Sequence, residues 1–399
     1  MMSRQKQLER NIPLLRVLRM VDMAMLTIPV IVIYFQAHGL SMQDVMLLQA
    51  IFAVTMVVIE IPSGYFSDVL GRKRTLFIGV VMALFGWTAY VFAHSFTGFL
   101  VAEIILGIGA SFLSGTDSAM LYDTLLELGH TERSVREEGK QLSFANFAEA
   151  AAAVVGGLLA MISLHTPFVV QALWMLIPLP LVYLLVEPAE HRRVGRTAGW
   201  KEIGDIVTHV LRRDKLMRSM IVASSILSAS TLVMVWLIQP YWTTIAIPLG
   251  VFGILWATGN AIVGFASIRA HTIASKWEPL TIMTVLVASV ALACIIAGLW
   301  PGVVGAVLFA AFYIARGVSN PLIISEINVR VGSAHRATVL SVRQLGMRLV
   351  FLIIAPFIGY IGDITSIPTA VFASGVVFAI LGSIALLMWR RYRGRLGGV

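Results

Sequence analysis

Ionisable side chains stand inside otherwise apolar stretches of this 399-residue chain, and they divide by sign along it. Asp22, Glu60, Glu103, Asp117 and Glu149 lie in the first half, and Arg316, Arg343 and Arg348 in the second. A charge at bilayer depth is costly, so each is a candidate for function. Burial disfavours the charged form of a carboxylic acid, and a proton carrier needs a carboxyl that can become neutral. Asp22, about 12 Å into its apolar run at 1.5 Å per residue, fits that role. Arg19, one turn away, favours the ionised form instead. Glu149, one turn from Asn146, and Glu103, near the outer side, are the other proton-coupling candidates. Glu60 and Asp117 stand near run ends and read as latch residues. A buried guanidinium suits a carboxylate or phosphate through paired hydrogen bonds, or an inter-helix salt bridge. Asn146, Trp236, Arg316, Arg343 and Arg348 are therefore the substrate-cavity candidates. Trp174, Tyr241, Trp242 and Trp256 add aromatic surface, a type that also serves as interfacial anchors.

The elements that must position these groups are membrane helices. Hydrophobic residues make up 58% of the chain and charged residues 13%, about half the charge of a soluble domain. Twelve apolar runs, at 14–37, 41–66, 75–94, 97–125, 141–164, 167–186, 218–242, 249–273, 280–300, 302–326, 337–361 and 367–389, are each long enough for a helix to cross about 30 Å of hydrocarbon. The predicted class is an all-α integral membrane protein. Lys and Arg occur in alternate loops only, including Arg72–Arg74, Arg133–Lys140 and Lys276, while the loops near His38, His94, His165, Ile245, Trp300 and Asp363 have none. That alternation predicts a multi-pass protein of the cytoplasmic (inner) membrane with both termini inside, and the net charge of +9 reflects topology rather than nucleic-acid binding. The basic start carries no cleavage signature and reads as a cytoplasmic tail. The single cysteine, Cys294, excludes an intramolecular disulfide.

Residues 187–217 form the longest polar connection and divide the chain into six-helix bundles at 1–186 and 218–399. Within it, Trp200, Ile203, Ile206, Val207, Val210 and Leu211 recur at helical spacing, which predicts an amphipathic helix on the membrane face. The halves echo each other weakly, Gly156-Gly157 against Pro356 and Gly359, as in transporters built from repeats.

After the second run the chain reads Gly64-Tyr65-Phe66-Ser67-Asp68-Val69-Leu70-Gly71-Arg72-Lys73-Arg74. Gly64 is read as allowing close helix approach, Gly71 as a turn at positive φ, and Asp68 as an acceptor for basic side chains or a helix N-terminus. In this slot the segment resembles the loop signature of the major facilitator superfamily. The resemblance implies two pseudo-symmetric six-helix bundles, alternating access, and a cytoplasmic latch at Gly64, Asp68, Gly71 and Arg72. The chain departs from the drug/proton antiporter-like branch at two places. Glu103 occupies the position of that family's span-four Arg, and Ala152-Ala153 stands where a Gly-Pro precedes Gly156-Gly157. Lys276-Trp277-Glu278-Pro279 replaces a second copy of the loop.

No phosphate-binding Gly-x-x-x-x-Gly-Lys and no His-Glu-x-x-His occurs, so neither ATP hydrolysis nor metalloenzyme chemistry is expected, and no cofactor or metal is implied. The expected function is proton-coupled export of small drug-like or amphipathic compounds by a monomer, with protons and the lipid bilayer as its other partners. Transport of an organic anion through the arginines, or of a lipid or lysolipid, is the alternative.

Overall fold

The computed structural model describes residues 3–189, 214–331 and 336–394. The amphipathic segment around Trp200 lies outside these. The described residues form helices α1 (Arg4–Met23), α2 (Ile31–Ala37), α3 (Met42–Leu70), α4 (Arg72–Phe92), α5 (Phe96–Leu113), α6 (Thr116–Glu127), α7 (Ser134–Ile162), α8 (Thr166–Trp174) and α9 (Pro178–Leu184). They continue as α10 (Lys215–Thr244), α11 (Leu249–Ala274), α12 (Pro279–Leu299), α13 (Val303–Leu308), α14 (Ala310–Arg330), α15 (Arg336–Ile364) and α16 (Ile367–Gly394). Helix closes every backbone hydrogen bond within its own segment, which hydrocarbon demands. Eleven helical stretches among the described residues are long and apolar enough to cross a membrane. The twelfth expected span is α1 with α2.

That span is not continuous. The run at 14–37 predicts one helix, but the chain leaves the helix after Met23 and resumes at Ile31. Pro29 supplies the local reason, having no N–H and disfavouring helical geometry at Ile28. The fourth span bends at Ser114-Gly115, the sixth at 175–177 and the tenth at Phe309.

The chain forms two compact units. One takes the described parts of Met1–Leu40, Ile51–Arg196 and Pro248–Ala257; the other takes those of Ser41–Ala50, Thr197–Ile247 and Thr258–Val399. Small residues let membrane helices approach closely. In the first unit α7 uses its adjacent glycines on two neighbours. A Cβ on Gly157 would come 2.9 Å from the Gly253 nitrogen of α11, and one on Gly156 would come 1.8 Å from the Leu26 carbonyl in the break of span one. In the second unit α10 is the central helix, 78% of its apolar window being buried. Here α12 and α16 close on each other, and a Cβ on Gly375 would lie 3.0 Å from the Ala291 carbonyl. The start of α3 also belongs to this unit. Asp363, near the end of α15, accepts from the Met42 and Gln43 amides at 2.7 and 2.8 Å, satisfying two of the donors a helix start leaves open.

At the opposite end of this unit, Arg393 forks onto Glu278 at 2.7 and 2.6 Å. These hydrogen bonds, then the adjacent positive charge, hold the exposed Glu278 carboxyl below its ordinary value. A lowered pKa makes the tie complete above the ordinary glutamate value and lost as pH falls through the lowered one. Protection of the amides at residues 390–393, taken relative to their intrinsic exchange rates, should therefore be present at neutral pH and be lost as the medium is acidified below the ordinary glutamate range, with Glu278→Gln lacking it throughout.

Gly156→Val should lower the thermal unfolding midpoint sharply, a cost of about 1–3 kcal/mol or more for overpacking against fixed backbone. Gly139→Ala, where a Cβ meets nothing within 4 Å, should leave the midpoint unchanged or raised.

Candidate functional site

In the first unit a cavity of about 210 Å³ opens beside the break in span one. Its walls are mostly apolar, with Met23, Met56 and Met175 among them, and its charged groups are Arg19, Asp22 and Asp117. Unbranched, polarisable methionines adapt to ligands of different shape.

Each charged group owes its place to a local feature. Asp117 lies in the first turn of α6, where exposed N–H groups favour a carboxylate. Arg19 Nη1 donates to Asp117 Oδ2 in a short ion pair, whereas Asp117 Oδ1 is buried with no hydrogen-bond partner. Asp22 follows Arg19 by three residues, one turn along α1, and reaches the cavity just before the helix stops. Among the described residues it makes no hydrogen bond; it feels the positive charge of Arg19 and the negative charge of Asp117. Two carboxyls and one guanidinium carry one net negative charge when all are ionised. Such a chamber attracts one cation or one proton.

The freed backbone of the break is served by side chains from α8. The Leu26 amide donates to Gln171 Oε1 at 2.7 Å, and Trp174 Nε1 donates to the Val21 carbonyl at 3.1 Å. Gln171 Nε2 and Thr27 Oγ1 are buried without hydrogen-bond partners. Trp174, a candidate for cavity aromatic surface, lies outside the cavity lining and makes this structural bond instead. Gln171 gave no sequence signal, being a single amide in an apolar run.

The loop after α3 is built around Arg72. Its Nε donates to Asp123 Oδ2 at 3.0 Å, and its Nη1 donates to Asp68 Oδ1 and Ser67 Oγ, both at 2.8 Å. Gly71 adopts φ +99°, the left-handed region expected of it, and offers no capping side chain to α4. Glu187 replaces that cap, accepting from the Arg72 and Lys73 amides at 2.7 and 2.8 Å. Asn11 ties the same chain exit to α1, donating to the Val186 carbonyl and accepting from its amide. Among the described residues a Cβ on Gly64 would meet nothing within 4 Å, so no close helix approach is seen there.

The remaining candidates fall apart in space. Glu103 is buried on α5 and accepts a short hydrogen bond from Tyr90, away from the cavity lining. Glu149 is half-buried on α7 and accepts from Trp256 Nε1 at 3.4 Å, while Asn146 is exposed one turn before it. In the second unit Trp236 is buried in α10. Arg343 Nη2 donates to Asn320 Oδ1 at 2.8 Å, Arg316 is exposed on α14, and Arg348 is half-buried on α15.

Eleven helical stretches fit to cross a membrane, with a charged chamber inside one unit, make a multi-pass membrane protein among the described residues. The family model of the Major Facilitator Superfamily matches residues 14–332, and the chain belongs to that superfamily. It is 27% identical over 145 residues to the quinolone resistance protein NorA of Staphylococcus aureus, a match that spans 36% of each chain. The chain thus aligns with about a third of the length of that curated relative. Among solved structures it resembles the nucleoside transporter NupG, with TM-score 0.77 and 13% identity over 97% of this chain and 99% of that one. It also resembles a bacterial homolog of the human lysosomal transporter Spinster, with TM-score 0.75 and 15% identity over 97% of both. At these identities the likeness is one of fold.

Arg72→Ala leaves Asp123, 10% exposed, without its cation. It should cost about 2–3 kcal/mol, less than a fully buried pair because both partners keep some water. In a thermal-melt cycle with Asp123→Ala the two losses should fall short of adding, by about 1 kcal/mol.

Proposed function

We propose that this carrier works by alternating access as a proton-coupled exporter of drug-like, amphipathic organic cations, with Asp22 as the group that exchanges proton for substrate. The observation that carries the reading is the position of Asp22, a carboxyl without a hydrogen bond in a methionine-bearing apolar cavity. Arg19 neutralises Asp117, so the cavity's net charge follows the protonation of Asp22. Ionised Asp22 attracts a lipophilic cation; protonated Asp22 does not. Proton and substrate then compete for one charge, the minimal requirement of an antiporter.

The break beside Asp22 supports a binding role, since discontinuous helices recur at transporter sites. The partial likeness to a protein named for quinolone resistance agrees with export. The alternation of basic loops supports a bacterial-type cytoplasmic membrane with both termini inside. We assign residues 1–186 and 218–399 as the two repeats and 187–217 as their connection. The loop at Gly64, Asp68, Gly71 and Arg72 acts as the cytoplasmic latch.

Proteoliposomes with an imposed pH gradient test the coupling. A lipophilic cationic dye should be driven against its concentration gradient by wild type. Asp22→Asn should abolish the driven component, with the protein still eluting as a single species. Dye flux indifferent to the gradient in wild type would sink the proton role, and wild-type activity in Asp22→Asn would sink the assignment of Asp22.

A further inference from the structure

We infer that the second unit carries an oxyanion site on Arg316 and Arg343, which takes the carboxylate or phosphate head of an organic solute. The inference stands apart from the proton-coupled reading, because neither residue belongs to the cavity at Asp22.

The charge inventory of the unit comes first. Among its described residues every carboxylate lies at a helix end and already has a partner. Asp44 caps the Ser41 amide, and Asp363 caps the start of α3. Asp214 accepts from the Met217 amide at the start of α10, and Glu278 binds Arg393 at the start of α12. Glu326 pairs with Arg330 in the last turn of α14. Among the described residues no acid of the unit lies as far from a helix end as Arg316. Arg316 is fourteen residues from the end of α14, about 21 Å along the axis at 1.5 Å per residue.

Arg343 is 6% exposed, and its charge has no structural employment. Its Nη2 meets a neutral amide oxygen, Asn320 Oδ1, and its buried Nε has no hydrogen-bond partner. A guanidinium has five donors and stays protonated, so a lone amide leaves most of its capacity open. The contact of α15 with α10 is made by the backbone, Ser225 Oγ donating to the Arg343 carbonyl at 3.1 Å. An uncharged side chain would serve that contact equally. Retaining an uncompensated buried cation costs stability, and an anionic ligand is what would offset it.

Arg316 completes the site. It precedes Asn320 by one turn, so the two share a face of α14, and Asn320 is the residue that holds Arg343. Arg316 is exposed, with no hydrogen bond or ion pair among the described residues. A guanidinium at this depth faces water or a ligand rather than lipid tails. A guanidinium held on Asn320 and a second borne one turn before that residue suit the planar, two-oxygen edge of a carboxylate or a phosphate.

The test is equilibrium binding to the full-length protein in detergent, with no proton gradient, read by thermal shift. The probes are 1-naphthoate, lysophosphatidate, and naphthylmethylammonium, a cation on the same ring system. Naphthoate, lysophosphatidate or both should raise the wild-type midpoint in a saturable way. Arg316→Gln and Arg343→Gln should weaken that binding tenfold or more, and Arg343→Lys should retain part of it. The cation's effect should survive both Gln variants. Stabilisation by lysophosphatidate alone would assign the site to a lipid headgroup, and by naphthoate alone to a free organic acid. Asp22→Asn should bind the anions as wild type does, which separates this result from the coupling experiment. The inference is overturned if neither anion shifts the wild-type midpoint, or if the shift persists undiminished in Arg316→Gln. That exposed variant decides the matter should Arg343→Gln fail to fold.

Discussion

Hydrocarbon offers no hydrogen bonds, and the rest of this structure follows from that constraint. Where the chain is helical the constraint meets itself, and side chains are free to pack on glycine and alanine. Where the helix stops, at residues 24–30, the protein must supply what water would have supplied. Gln171 and Trp174 do so from one neighbour, and Gly156 lets another close against the loop's carbonyl. Asp22 stands one residue before the helix ends and, with Met23, lines the cavity next to this break.

The positions of most spans were legible because an apolar run of some 20 residues has few other uses. Gly71 was legible for a similar reason: a basic turn between two helices needs a residue at positive φ. The break in span one was not, because residues 24–30 are as apolar as the helix around them and only Pro29 marks the place. The partners of Arg72 were half legible. Asp68 sits one helical turn away in sequence, but Asp123 and Glu187 are 51 and 115 residues distant and meet Arg72 only through tertiary packing. Asp117 was visible as a membrane acid, yet its pairing with Arg19 depends on how α6 restarts after Gly115. Gly64 shows the converse error, a glycine given a packing role that its surroundings do not ask of it.

Charge is distributed by a simple rule. In the first unit each basic group near an acid is engaged: Arg19 with Asp117, Arg16 with Glu137, Arg72 with Asp68 and Asp123, Arg4 with Glu127. Asp22 is left over, an acid whose state is open. In the second unit the described acids are spent at helix ends, and Arg316 and Arg343, both within helices, are among the bases without one.

The two compact units do not follow the order in which the chain is made. Residues Pro248–Ala257 belong with the first unit, and Ser41–Ala50 with the second. The first unit therefore stays unfinished until synthesis has passed α10, with Gly157 and Glu149 awaiting Gly253 and Trp256. The start of α3, made early, waits still longer for Asp363. A ribosome delivering this protein cannot complete one body and then begin the next. Separately produced halves would each lack a strip of their own interior, and a split form of the chain would have to assemble both pieces at once.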